Sequence, residues 1–127
     1  MTNPCPFCDR SKIAGLSLVG LGCMLFPPLN PVVPGHMLVA PVRHVEDAAE
    51  DPAITGAAFH TASDLLSFWR HSAQLGEGSP YPRATDWNLI TSIGPAATQT
   101  VRHLHIHLVP RTQGDGLCLP WSGQSRG

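Results

Sequence analysis

The chain is poor in charge and almost devoid of lysine. Only 13% of its 127 residues are Asp, Glu, Lys or Arg, and Lys12 is the sole lysine beside arginines scattered without a run. No positive stripe exists for repeated phosphate contacts, which excludes a generic nucleic-acid binder. Long apolar runs are also missing. The longest candidate, Ile13 to Phe26, is broken by Gly15, Gly20 and Gly22 and is too short to span a bilayer. It has the length of a secretory core, but Asp9 interrupts the basic region before it, and Pro27-Pro28 occupy the place of a cleavage site. The expectation is a cytoplasmic chain without a membrane partner. Disorder is excluded by 43% hydrophobic content at a formal net charge of -1. The length suits one domain over residues 1–127. Cysteine is too sparse and uneven for a disulfide framework: Cys5 and Cys8 form a tight pair, while Cys23 and Cys118 stand alone and suit small buried hydrophobes. A Cys-x-x-Cys pair in a cytosolic chain points to a metal or redox site.

Histidine, in contrast, is plentiful, with seven against eight Lys plus Arg. The surrounding patterns suggest where these residues lie. Val19, Leu21, Cys23 and Leu25 alternate around Gly20 to Gly22, as in one or two short strands with a tight turn. Pro27 to Pro34 cannot be helical, and His36 to Pro41 follows as a buried strand. Asp51-Pro52 is a helix start, and Ile54, Ala58, Ala62, Leu65 and Trp69 make one apolar stripe of a helix running to about His71. Gly76 and Gly78 end it, and Tyr81 to Asp86 form a turn. A strand over Trp87 to Ser92, a loop over Gly94 to Thr100 and a strand over Val101 to Val109 complete an α+β arrangement with an antiparallel sheet.

The last of these strands reads His103-Leu104-His105-Ile106-His107-Leu108-Val109. Period-two alternation puts the three imidazoles on one face and Leu104, Ile106 and Leu108 on the other, toward the core. Such a row can bind a metal, or it can set neutral imidazoles around a phosphate as nucleophile and hydrogen-bonding groups. Spacing alone leaves both open.

The segment Gly35-His36 to His44, followed by Gly94-Pro-Ala-Ala-Thr98-Gln99-Thr100-Val-Arg-His103-Leu-His105-Ile-His107-Leu-Val-Pro110-Arg111, resembles the histidine-triad family of nucleotide hydrolases and transferases. The match runs from Cys5 to Arg111, leaving 112–127 as a C-terminal tail. The resemblance implies a sheet of about five antiparallel strands with one main helix. It implies that His105 attacks the α-phosphate of a nucleotide derivative, such as a phosphoramidate or dinucleoside polyphosphate, to form a covalent nucleotidyl-histidine. His36 and His107 would contact phosphate oxygens. Thr98, Gln99, Thr100 and Ser92 would bind substrate, and no organic cofactor is implied. Some members hold a structural zinc at positions matching Cys5, Cys8, His44 and His103, and members commonly pair as homodimers.

Three positions depart from the family pattern. Thr98 stands where glycine is usual, Ser92 where Asn or Gln is frequent, and Pro28 where a ribose-binding Asp or Asn is common. A β-branched Thr98 restricts the backbone at that point. The second functional class compatible with the sequence is a zinc-stabilised, nucleotide-binding interaction module with little catalysis. Glu46, Asp47, Glu50 and Asp51 suit a solvated helix start, and nothing recruits His60 or His71.

Overall fold

A computed structural model of the protein describes residues 5–74, 84 and 86–120. Five strands form one antiparallel sheet: β1 (Ser17–Leu18), β2 (Cys23–Phe26), β3 (Met37–Pro41), β4 (Asp86–Ile90) and β5 (Ile106–Arg111), in the order β1-β2-β3-β5-β4. One long helix, α1 (Pro52–Gln74), connects β3 to β4 and packs on β3 and β5. The expected α+β class and element count are what the chain adopts.

The sheet is covered on both faces. Cys23, Leu25, Val39, Ile106 and Leu108 face the helix and meet Ala58, Ala62 and Trp69, while Met24, Phe26, Leu38 and Ala40 face the opposite way and pack with Phe7, Ile13 and Leu16. The predicted helical stripe therefore buries itself on the sheet of its own chain, with Ala58, Ala62 and Trp69 essentially inaccessible. Asp51 caps the helix, its carboxylate accepting from the backbone N–H groups of Ala53 and Ile54 at 3.1 and 3.2 Å.

Boundaries differ from the sequence reading in instructive ways. The helix runs three residues beyond His71, to Gln74, while Gly76, Gly78 and Tyr81 lie outside the described residues. The fourth strand stops at Ile90 instead of Ser92, and Thr91 turns its hydroxyl to donate to the His105 carbonyl at 2.8 Å. The last strand begins at Ile106, not Val101, and extends to Arg111. Residues 101–105 cross over the sheet's end, where the Leu104 N–H donates to the Val45 carbonyl at 2.8 Å instead of to a ladder partner. The alternation nevertheless survives: Leu104, Ile106 and Leu108 all enter the helix-side core. Cys23 is buried as expected, but Cys118 is exposed, because residues 112–118 form a surface loop wrapped around the Arg111 guanidinium. Asp115 pairs with Arg111 at 2.7 and 2.9 Å, which holds its carboxyl well below the usual carboxylate range, and the Leu117 carbonyl also accepts from Arg111.

The β1–β2 turn is tight: Cys23 N–H donates to the Gly20 carbonyl at 3.2 Å, and both central residues are left-handed, Leu21 at φ 58° and Gly22 at φ 70°. Such double positive φ is the hairpin turn that matches strand twist.

Candidate functional site

Five of the seven histidines gather on the sheet face opposite the helix, in two adjoining groups, while His60 and His71 lie exposed on α1. The first contains His36, His105 and His107. His36 precedes β3, and the register that sets Leu38 beside His107 brings His36 diagonally onto the same ring. The two imidazoles meet at 2.9 Å, His36 Nε2 to His107 Nδ1. The protons on this chain follow from its first donor. Val32 N–H donates to His36 Nδ1 at 3.1 Å, so the proton of neutral His36 sits on Nε2 and is donated to His107 Nδ1. The proton of neutral His107 is thereby placed on Nε2. Burial, with His105 and His36 beside it, pushes the His107 pKa down to about 4. Burial likewise lowers His36, so both rings are neutral near pH 7.

His105 is 9% exposed, and its Nδ1–H donates to the His103 carbonyl at 2.7 Å. That bond fixes the tautomer and leaves Nε2 with a free lone pair. Burial lowers its pKa, keeping this lone pair unprotonated at neutral pH. Phe7 and His107 flank the ring, with centroids 5.2 and 5.1 Å away.

The second group is the quartet Cys5, Cys8, His44 and His103, whose ligand atoms all lie within 4.8 Å of one another. His103 is fully buried, and its Nε2–H donates to the Pro41 carbonyl at 2.7 Å. This carbonyl sits beyond the end of the β3–β5 ladder. The bond leaves the His103 Nδ1 lone pair facing Cys5 Sγ at 3.3 Å, Cys8 Sγ at 3.6 Å and His44 Nδ1 at 3.1 Å. Zinc bonds of about 2.3 Å to sulfur and about 2.0–2.1 Å to nitrogen place tetrahedral ligands about 3.3–3.8 Å apart. The residues therefore fit a Cys₂His₂ metal site compatible with zinc, and the Pro41 carbonyl supplies the outer hydrogen bond that metal-ligating histidines need.

The remaining predicted positions divide. Gln99 is 5% exposed, and its amide is spent within the protein: Oε1 accepts from Gly94 N–H at 2.8 Å, and Nε2 donates to the carbonyls of Glu46 and Val101 at 2.7 and 3.0 Å. It braces the loop before the triad against the segment after β3, where Glu46 also pairs with Arg102. Thr98 and Thr100 are exposed and Ser92 is half-buried. Thr98 has φ 71° and ψ 25°, the left-handed conformation that glycine favours. The sequence reading overlooked Phe7, Thr91 and the Val32 N–H. Phe7 was visible only as the residue inside Cys-x-x-Cys, and the other two act through contacts that no local pattern encodes.

A histidine row that leads from His103 and His105 into β5 at His107, with tautomers set by protein carbonyls and amides, beside a Cys₂His₂ quartet, defines a histidine-triad domain. The HIT domain family matches residues 22–114, and the chain belongs to that family. Among curated proteins it is 31% identical over 128 residues to adenylylsulfatase HINT3 of Arabidopsis thaliana, covering 98% of this chain and 59% of that protein. It is 36% identical over 88 residues to the bifunctional bis(5'-adenosyl)-triphosphatase/adenylylsulfatase FHIT of the same plant, covering 68% of this chain and 44% of that protein. The chain thus spans about half the length of these relatives. Among solved structures, a HIT family protein from Bacillus anthracis superposes with a TM-score of 0.71 at 26% identity, covering 92% of this chain and 78% of that one. A hypothetical histidine triad nucleotide-binding protein from Sulfolobus tokodaii superposes with a TM-score of 0.68 at 28% identity, covering 87% of this chain and 70% of that one. Among the described residues, no helix is long and apolar enough to cross a membrane.

Proposed function

We propose that the protein is a nucleotide hydrolase or nucleotidyl transferase in which His105 Nε2 attacks the α-phosphate of a nucleotide derivative. The observation that carries this reading is the 2.7 Å bond from His105 Nδ1–H to the His103 carbonyl, which presents an unprotonated Nε2 without a separate base. As the P–N bond forms, the bond from phosphorus to the leaving group breaks and its electron pair departs with that group. The imidazolium so produced keeps its Nδ1–H on the carbonyl, which favours the charge. Water then attacks phosphorus, the P–N electron pair returns to Nε2, and the proton passes to solvent.

His107 donates its Nε2–H to a non-bridging phosphate oxygen, and His36, with both ring nitrogens engaged, acts by holding that tautomer. A neutral His107 donates a hydrogen bond readily but gives up its last proton poorly. Leaving groups that depart as stable anions, sulfate or a nucleoside phosphate, therefore suit the site better than amines. The activities named for the two plant relatives, adenylylsulfatase and bis(5'-adenosyl)-triphosphatase, point the same way. The quartet would hold a structural zinc, whose part is to anchor the N-terminal segment to His103.

The test is turnover of adenylyl sulfate, diadenosine triphosphate and an adenosine phosphoramidate by the native protein and by His105→Asn. Cleavage by the native chain alone, with a nucleotidyl adduct that gains the mass of AMP less one water, is expected. Absence of both turnover and adduct for every substrate would sink the enzymatic reading. One equivalent of zinc in protein purified without chelator, lost in Cys5→Ser, is expected for the quartet.

A further inference from the structure

We propose that Phe7 is a positioning residue for His105, and that the Cys5/Cys8/His44/His103 quartet controls it. The inference rests on His105 being the nucleophile, but its contacts stand independently. Phe7 meets the His105 ring edge-on, with centroids 5.2 Å apart and planes at 85°, and meets His103 at 5.8 Å and 76°. Its other neighbour is Phe26 of β2, at 5.1 Å and 67°. On the opposite flank of His105 stands His107, at 5.1 Å. The hydrogen bond from Nδ1 to the His103 carbonyl hinges the His105 ring at one point. It leaves rotation about that bond open, and the two flanking rings close it. Nε2 is then aimed in one direction, which is what an in-line attack needs.

What holds Phe7 is unusual. It occupies the third position of a four-residue turn closed by the Cys8 N–H to the Cys5 carbonyl at 3.0 Å, with Pro6 in the second position where proline is favoured. Both ends of this turn are members of the quartet. A metal bonded to Cys5 and Cys8, and through His44 and His103 to the segment after β3 and the triad segment, would fix both ends of the two-residue span that carries the ring. Without it, the turn is tethered by thiol–imidazole contacts of 3.3–3.6 Å, the weak end of hydrogen bonding. Metal occupancy is thereby transmitted to the nucleophile through one aromatic ring, and a site that never touches substrate acquires control over turnover.

The experiment compares zinc-loaded native protein with Phe7→Leu and Phe7→Tyr, measuring kcat and KM for adenylyl sulfate. It also records the ring nitrogen and carbon-bound proton signals of His105 by NMR at one fixed, mildly alkaline pH, assigned with His105→Asn. In Phe7→Leu, kcat falls about 3- to 10-fold, the range an aromatic contact supports. KM stays within about twofold, as it must when an interaction acts on the transition state alone. Phe7→Tyr restores kcat, and the His105 ring signals move in Phe7→Leu. Removing zinc from the native protein moves those signals in the same direction. Since the signals need no substrate, a protein that turns nothing over still tests the contact. His105 signals unmoved in Phe7→Leu overturn the positioning role, as does a raised KM at unchanged kcat, which would make Phe7 a substrate contact. Signals that move in Phe7→Leu but not on zinc removal overturn the control by the quartet.

Discussion

Thr98→Gly is expected to stabilise the protein. Thr98 ends the short 3₁₀ turn Pro95–Ala97 in the left-handed conformation, at φ 71° and ψ 25°. The fold enforces this geometry from both sides, since the Thr98 N–H donates to the Pro95 carbonyl at 2.9 Å and the Gln99 N–H to the Gly94 carbonyl at 3.1 Å. For an L-residue such as Thr98 the conformation costs about 1.5 kcal/mol. Glycine removes that cost but adds about 0.5–1 kcal/mol of backbone entropy to the unfolded chain. Among the described residues the Thr98 hydroxyl bonds to the carbonyl of its neighbour Ala97 alone, and it is exposed, so its loss changes little. The net gain is about 0.5–1 kcal/mol. With a urea slope of about 1–2 kcal/mol per molar for a domain of this size, the unfolding midpoint rises by about 0.3–1 M. Thr98→Ala is the control, because it removes the hydroxyl and the branching while leaving an L-residue at positive φ. If Thr98→Gly unfolds no later than Thr98→Ala, the strain inferred from the backbone is absent.

Leu21, 60% exposed at φ 58° in the β1–β2 turn, invites a parallel substitution. Leu21→Asn keeps the turn and raises stability by about 0.5–1 kcal/mol, measured by thermal or urea unfolding. Leu104→Ala empties a fully buried position in the helix-side core and lowers the unfolding free energy by about 2–5 kcal/mol. A loss under about 1 kcal/mol would mean that Leu104 is not packed as described. Acid weakens the fold through the histidine pair. His107 and His36 have folded pKa values below the unfolded value near 6.5, so the unfolded chain takes up protons first. Their contribution is intact above about pH 6.5 and is lost as pH falls toward about 4, at up to about 3 kcal/mol for His107 alone. Urea titrations from neutral pH down to pH 5 should show it, and His107→Asn should flatten the profile.

What the sequence made legible was whatever a local period encodes. The helix stripe from Ile54 to Trp69, the Asp51 cap and the alternation of Leu104, Ile106 and Leu108 all depend on spacing, and each took its expected place. Strand limits near the triad did not, because Val101 to His105 alternates as a strand would. The Leu104 N–H finds its partner across the sheet's end, at the Val45 carbonyl, only after the fold is assembled. Cys118 looked apolar enough to be buried, but its position follows from Arg111 gathering the loop around itself, a long-range decision. The departure at Thr98 is the converse case. The residue that departs from the resemblance, where glycine is usual, stands at a backbone position of positive φ. Gln99 was assigned to substrate from the motif alone, and its four side-chain bonds within the protein show a bracing part that the motif does not encode.

The histidine surplus is best understood as a division of proton states enforced by backbone carbonyls and amides. His103 donates from Nε2 to Pro41 and so exposes Nδ1 to the quartet, whereas His105, two residues on, donates from Nδ1 to His103 itself and so leaves Nε2 free for the proposed attack on phosphate. Val32 sets the proton of His36, and His36 sets that of His107. Four neighbouring imidazoles thus hold fixed tautomers, His36, His103 and His107 protonated on Nε2 and His105 on Nδ1, with no carboxylate bonded to them among the described residues, so the proposed chemistry needs little charge from the chain. A carboxylate beside His105 would raise its pKa and protonate the attacking nitrogen at neutral pH, whereas a neutral carbonyl orients the ring and leaves the lone pair free. The scarcity of charge and the surplus of histidine are two sides of one requirement.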